Sequence, residues 1–468
     1  MSLWDFNVNF RSIIMDFSYL SIFLILGTVL RRYGKFFQKY LIPNNIIAGF
    51  IGLIVGPQII GLLDMNIDRL GAYVYHLLAL TFVAMGLRQE KSHWGKGPLS
   101  FGLAMLSSYI VQGVVGLLVA FFFIYTTMPN LAPSIGLLLP MGFGMGPGQA
   151  FTMGKAWESF GLEGGAATGL TIAAIGYLVA YFGGIIIIHR GIKNKETNLI
   201  KGMEGITEDM RTGVIKRGKP QIGSFLTLSQ EAIEPLAFHV GLIGVVYWLT
   251  WVLASNLTGF MEAHGAAKFV ATVWAFHFVL ALLVSIAVRK VLDLTKKSYM
   301  IDTGLMNRTA GLFVDYLVVG SICAISLTVV WKYWAPLLWM SIFGTIVTYV
   351  LLRYVCHRAF DDYHFERFVG IFGEMTGTLN SGLVLVRVTD PDFKTPVAED
   401  LVYSSGIALL LGLPLLILLN APMNFFGNTY RGYWITMGLM ILYMVILWVV
   451  WRLTGFIKLT KPNLKRAK

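Results

Sequence analysis

The chain alternates long apolar runs with short polar stretches over nearly all of its length. Eleven runs are apolar enough to be membrane spans, which need roughly 20 apolar residues to cross the hydrocarbon of a bilayer. They lie at 17–30, 41–63, 70–87, 99–125, 165–188, 236–259, 268–288, 311–330, 335–355, 397–420 and 432–455. We expect the first run to begin near Ile13, with Asp16 at its interfacial end. The pattern predicts an all-α polytopic membrane protein with almost no soluble domain.

The composition agrees with a chain surrounded by lipid. It is 56% hydrophobic and only 13% charged, whereas soluble domains are about a quarter charged. The two cysteines, Cys323 and Cys356, have no metal-site spacing, and we do not expect them to pair. The N-terminus lacks the basic region and cleavage site of a signal peptide, so we expect the first span to stay in the mature protein.

Two further segments, 131–162 and 365–394, are apolar in part but are interrupted by Gly, Pro, Thr and Asn. If each segment enters and leaves the membrane by the same face, 29 of the 37 Lys and Arg fall on one side. The positive-inside rule then places the N-terminus outside and the C-terminus in the cytoplasm. It also explains the net charge of +12 without a nucleic-acid partner. The basic loops are 31–39, 88–96, 189–235, 289–308, 353–367 and 452–468.

These re-entrant segments divide the chain into two halves of opposite orientation, each with five spans and a re-entrant loop before the fifth. The halves are residues 1–188 and 236–420, joined by a cytoplasmic linker at 189–235. Residues 421–468 add one extra transmembrane helix and a cytoplasmic tail. Inverted repeats with interruptions at matching positions are typical of secondary transporters, which bind their substrate where the interruptions meet.

The first interruption reads PMGFGMGPGQAFTMGKAWE, from Pro140 to Glu158. Its alternating glycines and its proline are incompatible with an ordinary membrane helix. Backbone groups freed at membrane depth must bind protein, water, ions or substrate. The alternative is that the small residues permit a tight helix crossing. The candidate substrate-binding residues here are Gly144, Gly146, Gly148 and Gln149.

The second interruption reads FGEMTGTLNSGLVLVRVTDP, from Phe372 to Pro391. Its side-chain oxygens fit Na⁺, because hard cations prefer oxygen ligands. Each hydroxyl could instead donate to a carbonyl of its own helix. The candidate substrate-binding residues here are Thr376, Gly377, Thr378, Asn380 and Arg387. The candidate sodium-binding residues of both interruptions are Gln149, Thr152, Glu374, Thr378, Asn380 and Ser381.

Three charged residues lie within the interruptions. Arg387 is predicted to hold a substrate carboxylate through two parallel hydrogen bonds, although Asp390 could be its partner instead. Lys155 is expected to reach a membrane interface. Glu374 is a candidate proton or Na⁺ site by its position, or it could neutralise Arg387.

To about residue 420 the chain resembles the sodium/glutamate symporter family and, more distantly, the 2-hydroxycarboxylate transporters. Gly142–Gly146 resembles the family's GGxG-like loop, Gly373–Ser381 resembles its Gly- and Thr-rich loop, and the run after Gly164 is similar to its fifth span. The resemblance implies Na⁺-driven uptake of an amino-acid anion, with glutamate as the first expectation, across a bacterial inner membrane. It also implies a homodimer in which a mobile domain carries both loops past a fixed scaffold, an elevator mechanism.

The sequence departs from that family at its site and leaves other functions open. Family members commonly have polar residues where Phe143 and Met145 stand, a proline near Gly377, and ten helices. One alternative is a Na⁺- or H⁺-coupled carrier of a di- or tricarboxylate. Another is an ion channel, although a channel would usually repeat one filter sequence around an axis. The chain has no nucleophile–base pair, P-loop or HExxH motif, so we expect neither an enzyme nor any cofactor besides the coupling ion Na⁺.

Overall fold

The computed structural model describes residues 10–88, 95–200, 207–215, 223–391 and 393–457, and these residues fold as helices and connecting loops without a β-strand. Eight helices in this part of the chain are long and apolar enough to cross a membrane, or nine if one bent pair counts as a span. Several basic positions on which the predicted orientation depends, among them Lys91, Lys201 and the tail from Lys458, lie outside the described residues.

The first half of the chain forms four helices, a broken hairpin and a further helix. The hairpin, here called the first hairpin, consists of the short helical segment Pro133–Met145 followed by α5. The helices of this half are α1 (Phe10–Tyr33), α2 (Asn44–Val55), α3 (Ile67–Leu87), α4 (Lys96–Thr126), α5 (Pro147–Glu158) and α6 (Gly165–Lys193).

The second half follows the same order of elements and ends with one additional helix. Its hairpin, the second hairpin, consists of α12 and α13. The helices are α7 (Pro235–Ala263), α8 (Ala267–Ala275), α9 (His277–Leu294), α10 (Thr303–Cys323), α11 (Trp334–Ala359), α12 (His364–Thr376), α13 (Leu379–Thr389), α14 (Val397–Asn424) and α15 (Tyr430–Leu453).

Three predicted spans have different bounds in the structure. The span at 41–63 is helical only over the 12 residues of α2, because Gly56 and Pro57 end the helix. The span at 268–288 is divided between α8 and α9, which meet at a bend of 67°. The span at 311–330 corresponds to α10, which begins earlier because the Asp302 side chain caps it.

Asp16, predicted at the interfacial end of the first span, lies six residues after the start of α1. Its side chain is completely buried, and both carboxylate oxygens accept hydrogen bonds from the Arg69 guanidinium. Arg69 lies in the first turn of α3, so this ion pair joins α1 to α3. A charge this deeply buried requires such a partner, since desolvation of an unpaired carboxylate is costly.

The helices pack as two groups. In the first bundle, α3 packs against α9 and α10, α2 packs against α1 and α10, and α7 covers α9. In the second bundle, α4 packs against α11, α14 and α15, while the two hairpins pack against α6, α11 and α14. The principal contact between the bundles is made by α5 of the first hairpin, which touches α3, α8 and α10.

The outer helices present apolar side chains to their surroundings. The apolar windows of α1, α7 and α15 are only 22% buried, whereas those of α3, α4 and α6 are more than half buried. Residues such as Ile25, Val245 and Val445 are each at least half exposed on those outer helices. A continuous apolar exterior around an apolar interior is the arrangement expected of a protein embedded in a membrane.

Candidate functional site

The first hairpin breaks at Gly146. A π-helical stretch, Met141–Met145, leads to Gly146, whose φ of +92° and ψ of 174° are open in practice only to glycine. Pro147 then begins α5, where its missing N–H is no loss. The interruption predicted at this point is therefore confirmed, and both residue types are explained by the local backbone.

The second hairpin breaks between Thr376 and Leu379. A Cβ atom at Gly377 would come within 2.7 Å of the Ser381 hydroxyl oxygen, so the turn leaves no room for a larger residue. The Gln112 side chain of α4 donates a hydrogen bond of 2.9 Å to the Met375 carbonyl oxygen. This bond satisfies one of the backbone groups released where α12 ends.

The two breaks meet. A Cβ atom at Gly146 would lie 3.6 Å from Cγ2 of Thr378, so the hairpin tips are within van der Waals reach of each other. Among the described residues, no side chain caps the N-terminus of α5 or of α13. The first amides of a helix have no partner within it and carry its positive dipole end. Two such ends therefore converge at the tips.

A cavity of about 780 Å³ lies beside the tips, between the two bundles. Its mouth is lined by Arg88, Arg289 and Asp293, at the ends of α3 and α9. It follows α14 from Val402 to Leu416, about 21 Å at 1.5 Å per residue. Four of the predicted site residues line it, namely Gly144, Gln149, Glu374 and Thr378.

Beyond the first hairpin's tip the two bundles pack tightly. A Cβ atom at Gly148 would lie 2.5 Å from Cδ1 of Leu78 in α3, and one at Gly71 would lie 2.4 Å from the Phe151 ring. These contacts are closer than real side chains allow. Gly148 thus permits a tight helix crossing, the alternative considered for this glycine-rich segment, and it does not line the cavity.

Glu374 lies in the last turn of α12 and lines the cavity, with its side chain 6% exposed. The Ser405 hydroxyl of α14 donates to Oε1 at 3.0 Å. Oε2 is buried and has no hydrogen-bond partner in the described part of the chain. Within that part Glu374 forms no ion pair, so it does not neutralise Arg387.

Arg387 does not line the cavity. It lies eight residues after Leu379 in α13, about 12 Å along the helix axis from the tip. Its Nη2 atom is 3.2 Å from Oδ2 of Asp209 in the linker, and its side chain is 38% exposed. Asp390 instead accepts hydrogen bonds from the backbone amides of Lys394 and Thr395.

The linker carboxylate is held in its charged form. A hydrogen bond from Thr207 lowers the pKa of Asp209 below its usual value, and the Arg387 charge lowers it further. Lys155 likewise pairs locally, at 2.9 Å from Glu158 one turn later. Both cations of the interruptions therefore have acidic partners outside the cavity.

The remaining candidates divide into two kinds. The hydroxyls of Thr152 and Thr376 are completely buried and donate to the carbonyls of Gly148 and Phe372, the helical back-bonding considered as their alternative role. Ser381 is also completely buried, and its hydroxyl has no hydrogen-bond partner among the described residues. Asn380 is exposed and does not line the cavity.

Sequence reasoning missed three hydroxyl groups near the tips. The Tyr109 ring of α4 packs against Gly144 and lines the cavity, Tyr177 of α6 faces Thr378, and Ser405 bonds Glu374. One signal was present in the sequence: Tyr109 and Gln112 are three residues apart within an apolar span, so they share one face of the helix.

Comparison with known proteins gives no family assignment. Neither a protein-family model nor a curated protein matches the chain.

Proposed function

We propose that this protein is a secondary active transporter that couples the inward flow of Na⁺ to the uptake of a small anionic amino acid such as glutamate. The observation that carries the proposal is the meeting of two broken hairpins, at Gly146 and Thr378, beside a deep cavity between two helical bundles. In transporters, such interruptions supply backbone groups to substrate and coupling ion. No cofactor is required, and no enzymatic activity is proposed.

The proposal includes two inverted repeats of five spans with re-entrant hairpins. Two features of the packing support it. The third helices of the two halves, α3 and α10, pack against each other, as do the fourth helices, α4 and α11, which is expected if a two-fold axis relates the halves. The second element is also irregular in both halves, since α2 has only 12 residues and α8–α9 is bent by 67°.

Binding of an anion is supported by the uncapped helix ends. The N-termini of α5 and α13 converge at the tips and offer unpaired amides together with the positive ends of two dipoles. A substrate carboxylate could accept hydrogen bonds from both, and Arg387 is not needed for this contact.

Binding of Na⁺ is supported by oxygen atoms around the same tips. Thr378 and Gln149 line the cavity, and the Ser381 hydroxyl lies one turn into α13. Carbonyl oxygens at the C-terminus of α12 add negative partial charge. We keep Thr152, Glu374, Asn380 and Ser381 as weaker candidates, because Thr152 already donates to its own helix and neither Asn380 nor Ser381 lines the cavity.

We further propose an elevator mechanism in which the second bundle moves against the first. The cavity separates the bundles on one side, and among the described residues α5 makes the principal contact on the other. The basic ends of α3 and α9, at Arg88 and Arg289, would then face the cytoplasm by the positive-inside rule. The bacterial inner membrane, the outward N-terminus and a homodimer belong to the same proposal and rest on the charge pattern and the family resemblance.

The proposal is tested by uptake into proteoliposomes of labelled glutamate, aspartate, citrate and malate, with Na⁺ and H⁺ gradients imposed separately. We expect an inward Na⁺ gradient to accumulate glutamate or aspartate above the external concentration. Uptake that depends on neither gradient would contradict symport.

A second candidate function is an H⁺-coupled carrier of a di- or tricarboxylate. The observation that favours it is Glu374, whose carboxylate is nearly buried in the cavity wall and could carry a proton. Accumulation of citrate or malate driven by the H⁺ gradient alone would establish this function instead.

A further inference from the structure

The cavity contains an acidic group that forms no ion pair with any residue the structure describes. Glu374 is 6% exposed, and its Oε2 atom has no hydrogen-bond partner among the described residues. The two arginines that line the cavity are at its mouth and are already bonded: Arg88 donates to Asn307, and Arg289 donates to Asp293. A buried carboxylate without a partner is costly, so a positively charged ligand group would be stabilised beside it.

The bonding of Glu374 indicates which of its oxygens is available. Ser405 donates to Oε1 at 3.0 Å. This bond fixes the side chain and leaves Oε2 free to accept from a ligand. The arrangement is that of a prepared acceptor in the wall of a cavity.

The same part of the cavity also has an anion-binding side. Glu374 lies four residues before Thr378, on the other side of the break, and its Cβ atom is 3.3 Å from the position that a Cβ atom at Gly382 would occupy in the first turn of α13. The first turn of α13 therefore packs against α12 at Glu374, and Gly146 at the start of α5 lies within van der Waals reach of Thr378 at the start of α13. A ligand with one negative and one positive group would satisfy both.

We infer that Glu374 accepts hydrogen bonds from the ammonium group of a zwitterionic substrate whose carboxylate binds at the N-termini of α5 and α13. The inference rests on the proposed function and adds to it the residue that would distinguish an amino acid from a plain dicarboxylate. A dicarboxylate of the same length would place no positive charge beside Glu374 and would be repelled by it. Glu374 is thus a specificity-determining residue.

The test compares glutamate with glutarate, which is the same molecule without its amino group. Uptake of labelled glutamate gives its KM, and competition by unlabelled glutarate gives an inhibition constant. For the wild-type protein we expect glutarate to bind at least about tenfold more weakly. Glu374→Gln keeps the side-chain shape and the oxygen that accepts from Ser405, but it removes the negative charge. Loss of one charge-assisted hydrogen bond to the substrate ammonium group corresponds to about 10- to 100-fold in affinity.

We therefore expect E374Q to raise the KM for glutamate about tenfold or more while glutarate inhibits as well as before or better. Ser405→Ala, which removes only the donor that positions Glu374, should produce a smaller change in the same direction. Glu158→Gln is the matched control, because Glu158 is an acidic residue of the first hairpin that pairs with Lys155 outside the cavity. Glu158→Gln should leave the ratio of the KM for glutamate to the inhibition constant of glutarate unchanged.

Three results would overturn the inference. If E374Q weakens glutamate and glutarate equally and abolishes dependence on a pH gradient, Glu374 carries a coupling proton. If E374Q leaves the ratio unchanged while uptake persists, Glu374 does not contact the ammonium group. If the wild-type protein takes up none of the probes under either gradient, the proposed function fails and this inference fails with it, an outcome readily distinguished from the first two.

Discussion

The two hairpins have the same outline but use different chemistry. The first hairpin is built from glycines and a proline, and its tip carries no charged side chain between Met141 and Gln149. The second hairpin carries Glu374, Thr378 and Ser381 within eight residues. The first therefore contributes mainly backbone geometry to the tips, and the second contributes side chains.

The hairpins also differ in what they touch. Both hairpins line the cavity, the first with Gly144 and Gln149 and the second with Glu374 and Thr378. The first hairpin also packs through α5 directly on α3 of the first bundle, so in this state it is the hairpin that closes the site against that bundle. In an alternating-access cycle the opposite relation should hold in the other state, so each hairpin would serve in turn as the closed side.

Substitution of Gly146, at the tip of the first hairpin, is expected to reduce uptake more than any other change considered. Gly146→Ala places a Cβ atom at φ +92° and ψ 174°, which costs about 1–3 kcal/mol or forces the tip to rearrange. We expect uptake to fall more than tenfold at normal protein levels, as measured in proteoliposomes.

Gly161→Ala is the matched control for that substitution. Gly161 has a similar φ of +95°, but a Cβ atom there would meet nothing within 4 Å, and the residue lies outside the cavity. It should cost stability, measured by thermal unfolding, with little loss of uptake. Equal loss of uptake in both variants would show that strain in general, and not the tip, is responsible.

The closed contact between α5 and α3 can be locked. Cysteines at Leu78 and Gly148 should cross-link, because the Leu78 side chain occupies the position that a Cβ atom at residue 148 would approach. In a background without the two native cysteines, we expect oxidation to lower uptake about tenfold or more and reduction to restore it. Full activity after complete cross-linking would contradict movement between the bundles.

A second cysteine pair tests where the extra helix belongs. Gly113 of α4 packs against Met440 of α15, and Trp448 of α15 donates to Ser107 of α4, so α15 is part of the second bundle. A short cross-linker between cysteines at Gly113 and Met440 should leave uptake within about twofold of its uncross-linked value. Loss of uptake here would indicate that α15 moves relative to α4.

The side-chain chemistry of the two hairpins can be compared through their threonines. Thr378→Val removes a hydroxyl that lines the cavity, and loss of one oxygen ligand should raise the Na⁺ concentration for half-maximal uptake about tenfold, equivalent to about 1.4 kcal/mol. Thr152→Val removes a hydroxyl that donates to its own helix, so its effect should stay within about twofold. Equal effects would contradict the preference for Thr378 over Thr152 as a Na⁺ ligand.

The sequence was sufficient to predict the helical membrane fold and the two interruptions, because both follow from local residue types. Pro147 cannot donate the amide hydrogen bond that a continuous α-helix needs, so a break is expected just before it whatever surrounds it. The contacts of Asp16, Ser405 and Tyr109 could not be predicted, since each depends on a helix distant in the chain. The same limitation applies to Arg387. Its position after the second interruption predicted a substrate-binding residue, whereas its ion-pair partner in the structure, Asp209, lies in the distant linker.

Substitution of Arg387 is expected to have the smallest effect on substrate affinity, in contrast to substitutions at the hairpin tips. A partly exposed ion pair such as Arg387–Asp209 contributes at most about 1 kcal/mol. We expect Arg387→Gln and Asp209→Asn each to change the KM for glutamate by no more than about twofold. A tenfold loss of substrate affinity in Arg387→Gln alone would instead mean that the guanidinium reaches the substrate in another state of the cycle. If Arg387 only pairs with Asp209, the two substitutions should change the KM for glutamate equally. If Arg387 binds substrate, Arg387→Gln should raise the KM more than Asp209→Asn does. Comparison of the two variants therefore tells whether Arg387 makes a structural contact or binds substrate.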